Sequence, residues 1–312
     1  MLELCIAVLF VYKNVSYEIQ QNVLLTRSGD MDYGINNTEV ITSRQNASVV
    51  AACKLSDKKY RDTEKKFRVD GIKLFGEILQ SGVEIDTVFL KESSVERLNE
   101  RIGEAISGLQ RSKIKTVSDG VFEKMTEEKS PEGIICVAKH IDKLHKIVKI
   151  NSSDSIVNEL MGVKVFAVES VRDPGNMGTV IRTAAAFGVD TLLISSDCAD
   201  LYNPRTVRAA MGALFRQRII RVDDLSMAIK ALSESGRKTY AATLGQSAVL
   251  LGEENLDVLD CIVVGNEGHG LSEKTINACD KKILIPMTVG AESLNAAVAA
   301  SVCMWEQFGK NI

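Results

Sequence analysis

The sequence contains no C-x-x-C pair, only four prolines and few aromatics, and each scarcity excludes something. Its seven cysteines (5, 53, 136, 198, 261, 279 and 303) are scattered and odd in number, and His140, His145 and His269 are not spaced as ligands beside them. That pattern argues against a disulfide framework and structural zinc, and for a reducing compartment. With four prolines and 22 glycines in 312 residues, collagen-like and low-complexity chains are excluded. Aromatics at 5% leave too few rings for a surface that stacks single-stranded bases. No apolar run reaches the ~18 residues of a membrane helix. The opening MLELCIAVLFVY has the look of a short signal core, yet it carries Glu3, lacks Lys and Arg, and no small-residue cleavage site follows. An extra strand, or initiation at Met31, accounts for it as well, and a cytoplasmic protein is expected.

What remains is ordinary for a folded protein: 45% hydrophobic, 25% charged, and long enough for two domains of ~150 residues. The net charge of −3 means that any nucleic-acid contact must come from a local patch. Residues 51–150 carry 20 Lys and Arg against 17 Asp and Glu, whereas the rest carries 18 against 24. Within that segment Lys54, Lys58, Lys59, Arg61, Lys65, Lys66 and Arg68 crowd into fifteen residues.

Residues 1–43 show no usable periodicity. Residues 44–139 read as a small α/β unit, with helices over 47–60, 70–81 and 95–109 and strands at 87–90, 114–117 and 133–138. The stretch 140–158, charged and then rich in Ser and Asn, reads as a linker. From 159 to 312, doubly apolar strands (164–169, 191–195, 218–222, 239–243, 260–265, 282–287) alternate with helical patterns (177–187, 204–214, 223–234, 271–278, 294–308). Such alternation predicts an α/β domain with a parallel sheet covered on both faces, whose ligands sit at the carboxyl edge.

Three loops of that second domain are unusual. No G-x-x-x-x-G-K-[ST] occurs, and the glycines of Gly265-Asn266-Glu267-Gly268-His269-Gly270 reverse the G-x-G-x-x-G spacing, which disfavours P-loop and dinucleotide sites. The first loop, Asp173-Pro174-Gly175-Asn176, opens a helix on which Arg182 stands among small residues; a buried guanidinium there would need an anion. The second offers Glu267 and three glycines that would let a ligand approach the backbone closely. His269 reads as a loop hydrogen-bonder, since no Ser or Cys partner is suggested. In the third, after Ile285-Pro286-Met287, Ser293 is a sound helix cap and Asn295 falls in the first turn, facing the other loops. If the loops converge they form one pocket.

Together these blocks resemble the SpoU family of RNA ribose 2′-O-methyltransferases, in the SPOUT class. The resemblance rests on Asn176-Met-Gly178-Thr179-Val-Ile-Arg182, on Val264-Gly265-Asn266-Glu267-Gly268-His269-Gly270-Leu271, and on Ile285-Pro286-Met287 with Ser293-Leu294-Asn295. The block from Asn203 through Arg205 and Arg208 to Gly212 also looks like family sequence, although Ala209 and Ala210 stand where a serine often follows. Residues 44–138 more loosely resemble the family's substrate-binding domain. The resemblance implies a trefoil knot, a homodimer, and S-adenosyl-L-methionine held largely by backbone at Thr243, Leu244, Gly245, Gly265, Ile285 and Leu294. It implies catalytic roles for Arg182, Asn176, Glu267, Ser293 and Asn295, and no metal. Arginine is an awkward base, because its pKa exceeds ~12, so stabilising the developing alkoxide is an equally compatible role. RNA contacts are expected from Arg61, Arg68, Arg205 and Arg208, the last two reaching across the dimer or lying solvated. Ribosomal RNA is favoured as substrate; the alternatives are a tRNA enzyme, a catalytically silent RNA-binding homologue, and a Rossmann oxidoreductase that lacks its fingerprint.

Overall fold

A computed structural model describes residues 39–150, 153–245, 247–266, 268–288 and 293–311, so Glu267 and the first 38 residues lie outside the described residues. Two sheets organise the chain. The first holds β1 (Lys66–Asp70), β2 (Ile85–Lys91), β3 (Ile114–Val117) and β4 (Ile134–Lys139) in the order β1-β4-β2-β3. β4 runs antiparallel to both neighbours, while β2 and β3 are parallel. Alternation along the strands sends Phe89, Ile135 and Val137 to one face, under α1 (Ala47–Lys54) and α5 (Asp119–Met125). Val88, Leu90, Ile134 and Cys136 go to the other, under α3 (Ile72–Ser81) and α4 (Val95–Ser107).

The single helix expected over 47–60 is two. Asp57 caps a fresh start, accepting from the Lys59 amide at 2.9 Å, and α2 (Lys58–Glu64) follows. Arg61 then folds back and donates to the carbonyls of Leu55 and Ser56, both at 2.7 Å. β1 was not expected either, because Arg68 and Asp70 lend it a surface composition; both side chains are buried and paired with each other.

The second sheet has eight parallel strands in the order β10-β12-β9-β11-β6-β7-β8-β5. They are β5 (His145–Val148), β6 (Val165–Val168), β7 (Thr191–Ser195), β8 (Arg218–Val222), β9 (Thr239–Ala242), β10 (Val249–Leu250), β11 (Cys261–Val264) and β12 (Lys281–Leu284). One face carries α6 (Ser153–Leu160), α9 (Leu225–Glu234) and α10 (Glu273–Ala278). The other carries α7 (Pro174–Ala186), α8 (Pro204–Ala210) and α11 (Ala296–Gln307). Burial on both faces is what the doubly apolar strands require.

The expected linker at 140–158 is instead part of the second sheet. β5 pairs with β8 from His145↔Ile219 to Val148↔Val222, and α6 packs on the sheet through Ile156 and Leu160. The texture misled because β5 is an edge strand: Ile147 is 78% exposed and lysines flank it. The two units meet over one apolar cluster in which Tyr202 stacks on His140 (centroids 3.9 Å) and packs on Phe67 (4.7 Å). Beside it Arg61 binds the Asp200 carboxylate at 2.6 Å.

From β6 the chain steps outward through β7 and β8, then returns so that β11 lies on the other side of β6. That reversal is the switch point at which open α/β sheets place their ligands.

Candidate active site

At the carboxyl edge beside this reversal lies a cavity of about 330 Å³, a volume typical of ligand sites. Thr243 and Leu244 line it after β9, residues 264–266 and 268–270 after β11, Ile285 and Met287 after β12, and Ser293 and Leu294 ahead of α11. Of the expected cofactor residues, only Gly245 is not among those lining the cavity; it is exposed, with Lys282 beside it.

The three glycines of the second loop line the cavity, and two of them also serve the loop itself. A Cβ on Gly265 would sit 2.3 Å from the Gly270 carbonyl carbon, and Gly270 has φ +66°. The loop closes because Asn266 and Gly270 exchange backbone hydrogen bonds of 3.1 and 2.9 Å. The Asn266 side chain, which the sequence reading passed over, accepts from the Gly268 amide at 2.8 Å and donates to the Ser170 carbonyl at 2.9 Å. In the sequence it stands in the second motif, but no spacing there points to Ser170 as its partner.

The first and third loops meet through two asparagines. Asp173 caps α7 by accepting from the Asn176 amide at 2.9 Å, with Pro174 in the first helical position. Asn176 Oδ1 accepts from Asn295 Nδ2 at 3.1 Å. Asn295 Oδ1 in turn accepts from the amides of Ala297 (2.9 Å) and Val298 (3.3 Å). Asn295 is therefore the cap of α11, in place of the expected Ser293, which stands exposed on the cavity wall.

Arg182 is exposed, not buried. The small residues around it have another cause: a Cβ on Gly178 would lie 2.5 Å from Ala209 Cβ and 2.7 Å from the Thr206 carbonyl, so α7 and α8 cross in near contact there. Among the described residues no acid pairs with Arg182.

Two of the arginines expected to touch RNA are structural. Arg61 is 2% exposed, held by Asp200 and by the end of α1, and Arg68 is 3% exposed, bonded to the Met125 carbonyl and paired with Asp70. Arg208 is partly exposed and pairs with Glu128 at 3.1 Å, while Arg205 is well exposed, 3.8 Å from Asp173. Lys54, Lys58, Lys59 and Lys65 are exposed. Nucleophilic cysteine chemistry is disfavoured, because burial pushes the thiols of Cys261 and Cys303 up to about 12.

Fold and site define a class, and comparison with known proteins agrees with it: the chain belongs to the SpoU rRNA methylase family, whose model matches residues 164–305. A model of the MRM3-like substrate binding domain matches residues 46–136. The chain is 30% identical over 270 residues to the Bacillus subtilis 23S rRNA (guanosine(2553)-2′-O)-methyltransferase RlmP, covering 86% of this chain and 99% of that one. It is 27% identical over 291 residues to the mitochondrial rRNA methyltransferase 3A of Danio rerio, covering 79% of this chain and 64% of the relative. Among solved structures, an S-adenosylmethionine-bound rRNA methyltransferase from Sinorhizobium meliloti superposes with a TM-score of 0.71 at 25% identity, over 88% of this chain and 99% of that one. A crystal structure of an RNA 2′-O ribose methyltransferase superposes with a TM-score of 0.70 at 26% identity, over 87% and 99%.

The chain is accordingly an RNA ribose 2′-O-methyltransferase that uses S-adenosylmethionine. Its cavity fits that cofactor. Leu244 stands 62% exposed at the rim, an apolar side chain with nothing over it, and the walls are mostly apolar side chains and loop backbone.

Proposed function

We propose that this enzyme methylates a ribose 2′-hydroxyl of ribosomal RNA, with the cofactor held by Thr243, Leu244, Gly265, Ile285 and Leu294. The observation that carries the reading is the Asn176–Asn295 hydrogen bond beside the apolar cavity, which joins two motifs 119 residues apart. When bound, S-adenosylmethionine would supply an electrophilic methyl group: the new O–C bond would form as the S–C bond breaks, leaving the thioether S-adenosylhomocysteine, and the hydroxyl proton would pass to solvent water. Asn176 and Asn295 fix the geometry of the cavity mouth, where alignment governs the rate of an in-line displacement. Arg182, exposed and with no acid partner among the described residues, takes an RNA phosphate and stabilises charge developing on the ribose oxygen. Glu267 and Ser293 complete the set.

The substrate-binding model over residues 46–136 and the rRNA enzymes among the relatives support ribosomal RNA over tRNA. Lys54, Lys59 and Lys65 are the exposed cations offered to its backbone, with Arg205 nearer the site. The reading includes a homodimer. On α11 Val298 (48%), Val302 (36%) and Trp305 (51%) are exposed around a groove shared with Thr179 and Thr183, next to Arg182. A trefoil knot is part of the same reading, supported by the return of the chain that brings α11 back against α7 and β11. The scattered cysteines support a cytoplasmic setting. Mapping ribose methylation across total RNA, with and without the protein, tests the substrate: one rRNA nucleotide should lose its methyl group. A loss confined to tRNA would refute the rRNA assignment.

A further inference from the structure

The turn between β6 and α7, residues 169–172, belongs to none of the motifs, yet it holds the cofactor loop at both ends. We propose that Glu169, assisted by Ser170, is a positioning residue that clamps the loop after β11, at Asn266 and at Ser272, to the helix bearing Asn176 and Arg182. The proposal rests on reading the cavity as the cofactor site.

Sheet pairing places Glu169 first. Its amide donates to the Val264 carbonyl at 2.9 Å, extending the β6–β11 ladder one step past the named strands. The carboxylate then reaches across the loop to the start of α10. Oε2 accepts from the Ser272 amide at 2.8 Å, and Oε1 accepts from Ser272 Oγ at 2.9 Å and Thr275 Oγ1 at 2.6 Å. Three donors, one of them on the fully buried Thr275, converge on one carboxylate. Three hydrogen bonds to its two oxygens hold it in a single orientation.

Ser170 holds the other end. Its carbonyl receives Asn266 Nδ2 at 2.9 Å, and its φ of +56° is left-handed, a conformation disfavoured for a residue with a Cβ. Three bonds fix that turn. The Ser170 amide donates to Ser195 Oγ (2.8 Å), its hydroxyl donates to Asp197 Oδ2 (2.7 Å), and Arg172 reaches the same oxygen (2.7 Å). Burial would raise the Asp197 carboxyl, but hydrogen bonds from Ser195, Arg172 and Ser170 outweigh it and hold the group at about 2, so it is ionised throughout the working range. Glycines 268 and 270, which line the cavity, thus sit in a loop pinned at Asn266 and at Ser272 by adjacent residues of one turn. Neither Glu169 nor Ser170 lines the cavity; they act through the loop.

The test is Glu169→Gln in the full-length protein, whose amide group cannot accept from all three donors. Binding of S-adenosylhomocysteine by calorimetry should weaken about ten-fold, the scale of losing one charged hydrogen bond. Amide exchange over residues 265–272 should quicken in the ligand-free protein, while the melting temperature stays close to wild type. Unchanged affinity with unchanged exchange overturns the clamp, as does a loss of affinity that only tracks global unfolding. Should Glu169→Gln fail to fold, Thr275→Val removes a single donor and must show the same pair of effects, smaller. A wild-type chain that bound no S-adenosylhomocysteine would refute the cavity assignment instead, and the exchange measurement, which needs no ligand, would still decide the clamp.

Discussion

At the scale of the residue, the site separates groups that build it from groups that wait for substrate. Arg182 is of the second kind. Arg182→Ala is expected to lower methyl transfer by ~10²–10³, the cost of losing one oriented electrostatic partner, while S-adenosylhomocysteine affinity holds. Transfer of labelled methyl groups to ribosomal RNA, set beside calorimetric titration, reads both; equal losses would mark the arginine as structural. Asn295 is of both kinds, and two substitutions divide its duties. Asn295→Ala removes the cap of α11 and is expected to cost ~1 kcal/mol in denaturant unfolding. Asn295→Asp keeps an accepting oxygen for the amides of Ala297 and Val298 but loses the donor to Asn176. It should therefore retain stability and still lose turnover.

At the scale of the element, the decisive contact is the crossing of α7 and α8 at Gly178. Alanine is the better helix former by ~1 kcal/mol, so on propensity alone Gly178→Ala would stabilise. The 2.5 Å approach to Ala209 reverses the sign, because overpacking costs ~1–3 kcal/mol, and the melting temperature should fall. The elements were largely legible in sequence where burial is two-sided. TLLIS (191–195) and RIIRV (218–222) are β7 and β8 to the residue, since short β-branched and leucine-rich segments between helical patterns suit a covered sheet, even with Arg218 and Arg221 half-buried in the second. β1 and β5 were not legible. β1 alternates Phe67 and Val69 with charged residues over only five positions and buries the Arg68–Asp70 pair, while β5 is an open edge whose Ile147 is exposed. At the site, single motif residues were legible but their partners were not. That Arg61 and Arg68 face inward depends on Asp200, 139 residues away from the first, and on Met125, 57 away from the second, and no local spacing encodes such distant contacts.

At the scale of the whole molecule, His145 gives the joint between the units a pH dependence. Its Nε2 lies 3.1 Å from the Leu214 carbonyl and must donate, so Nδ1, 2.7 Å from the Tyr202 hydroxyl, accepts; Tyr202 in turn accepts from the Ile141 amide. The ring is held neutral, and burial pushes its pKa down to about 4. The unfolded chain binds a proton at ~6.5 that the folded chain refuses, so stability should rise with pH between about 4 and 6.5. Melting curves from pH 4.5 to 7 should show this slope, and His145→Gln should flatten it; an unchanged slope would place the titration elsewhere. The proposed dimer is tested at the same scale. Trp305→Glu, on the exposed face of α11, should turn a dimer into monomers in sedimentation and lower activity with it.

The pairing of β5 with β8 decides where the polypeptide can be cut. A fragment starting near residue 155 would seem to contain the entire catalytic unit, but it lacks β5 and leaves β8 as a bare border, with Ile219, Ile220 and Val222 in a strand whose amides and carbonyls have lost their cover. Such a fragment is prone to join another of its kind along that border and precipitate, whatever the quality of its site. A cut placed before Ile141 keeps the guarding strand, with its lysines, in place. The segment that reads as a tether in the sequence is thus what shields β8 from edge-to-edge pairing, leaving the α11 face free for the proposed dimer.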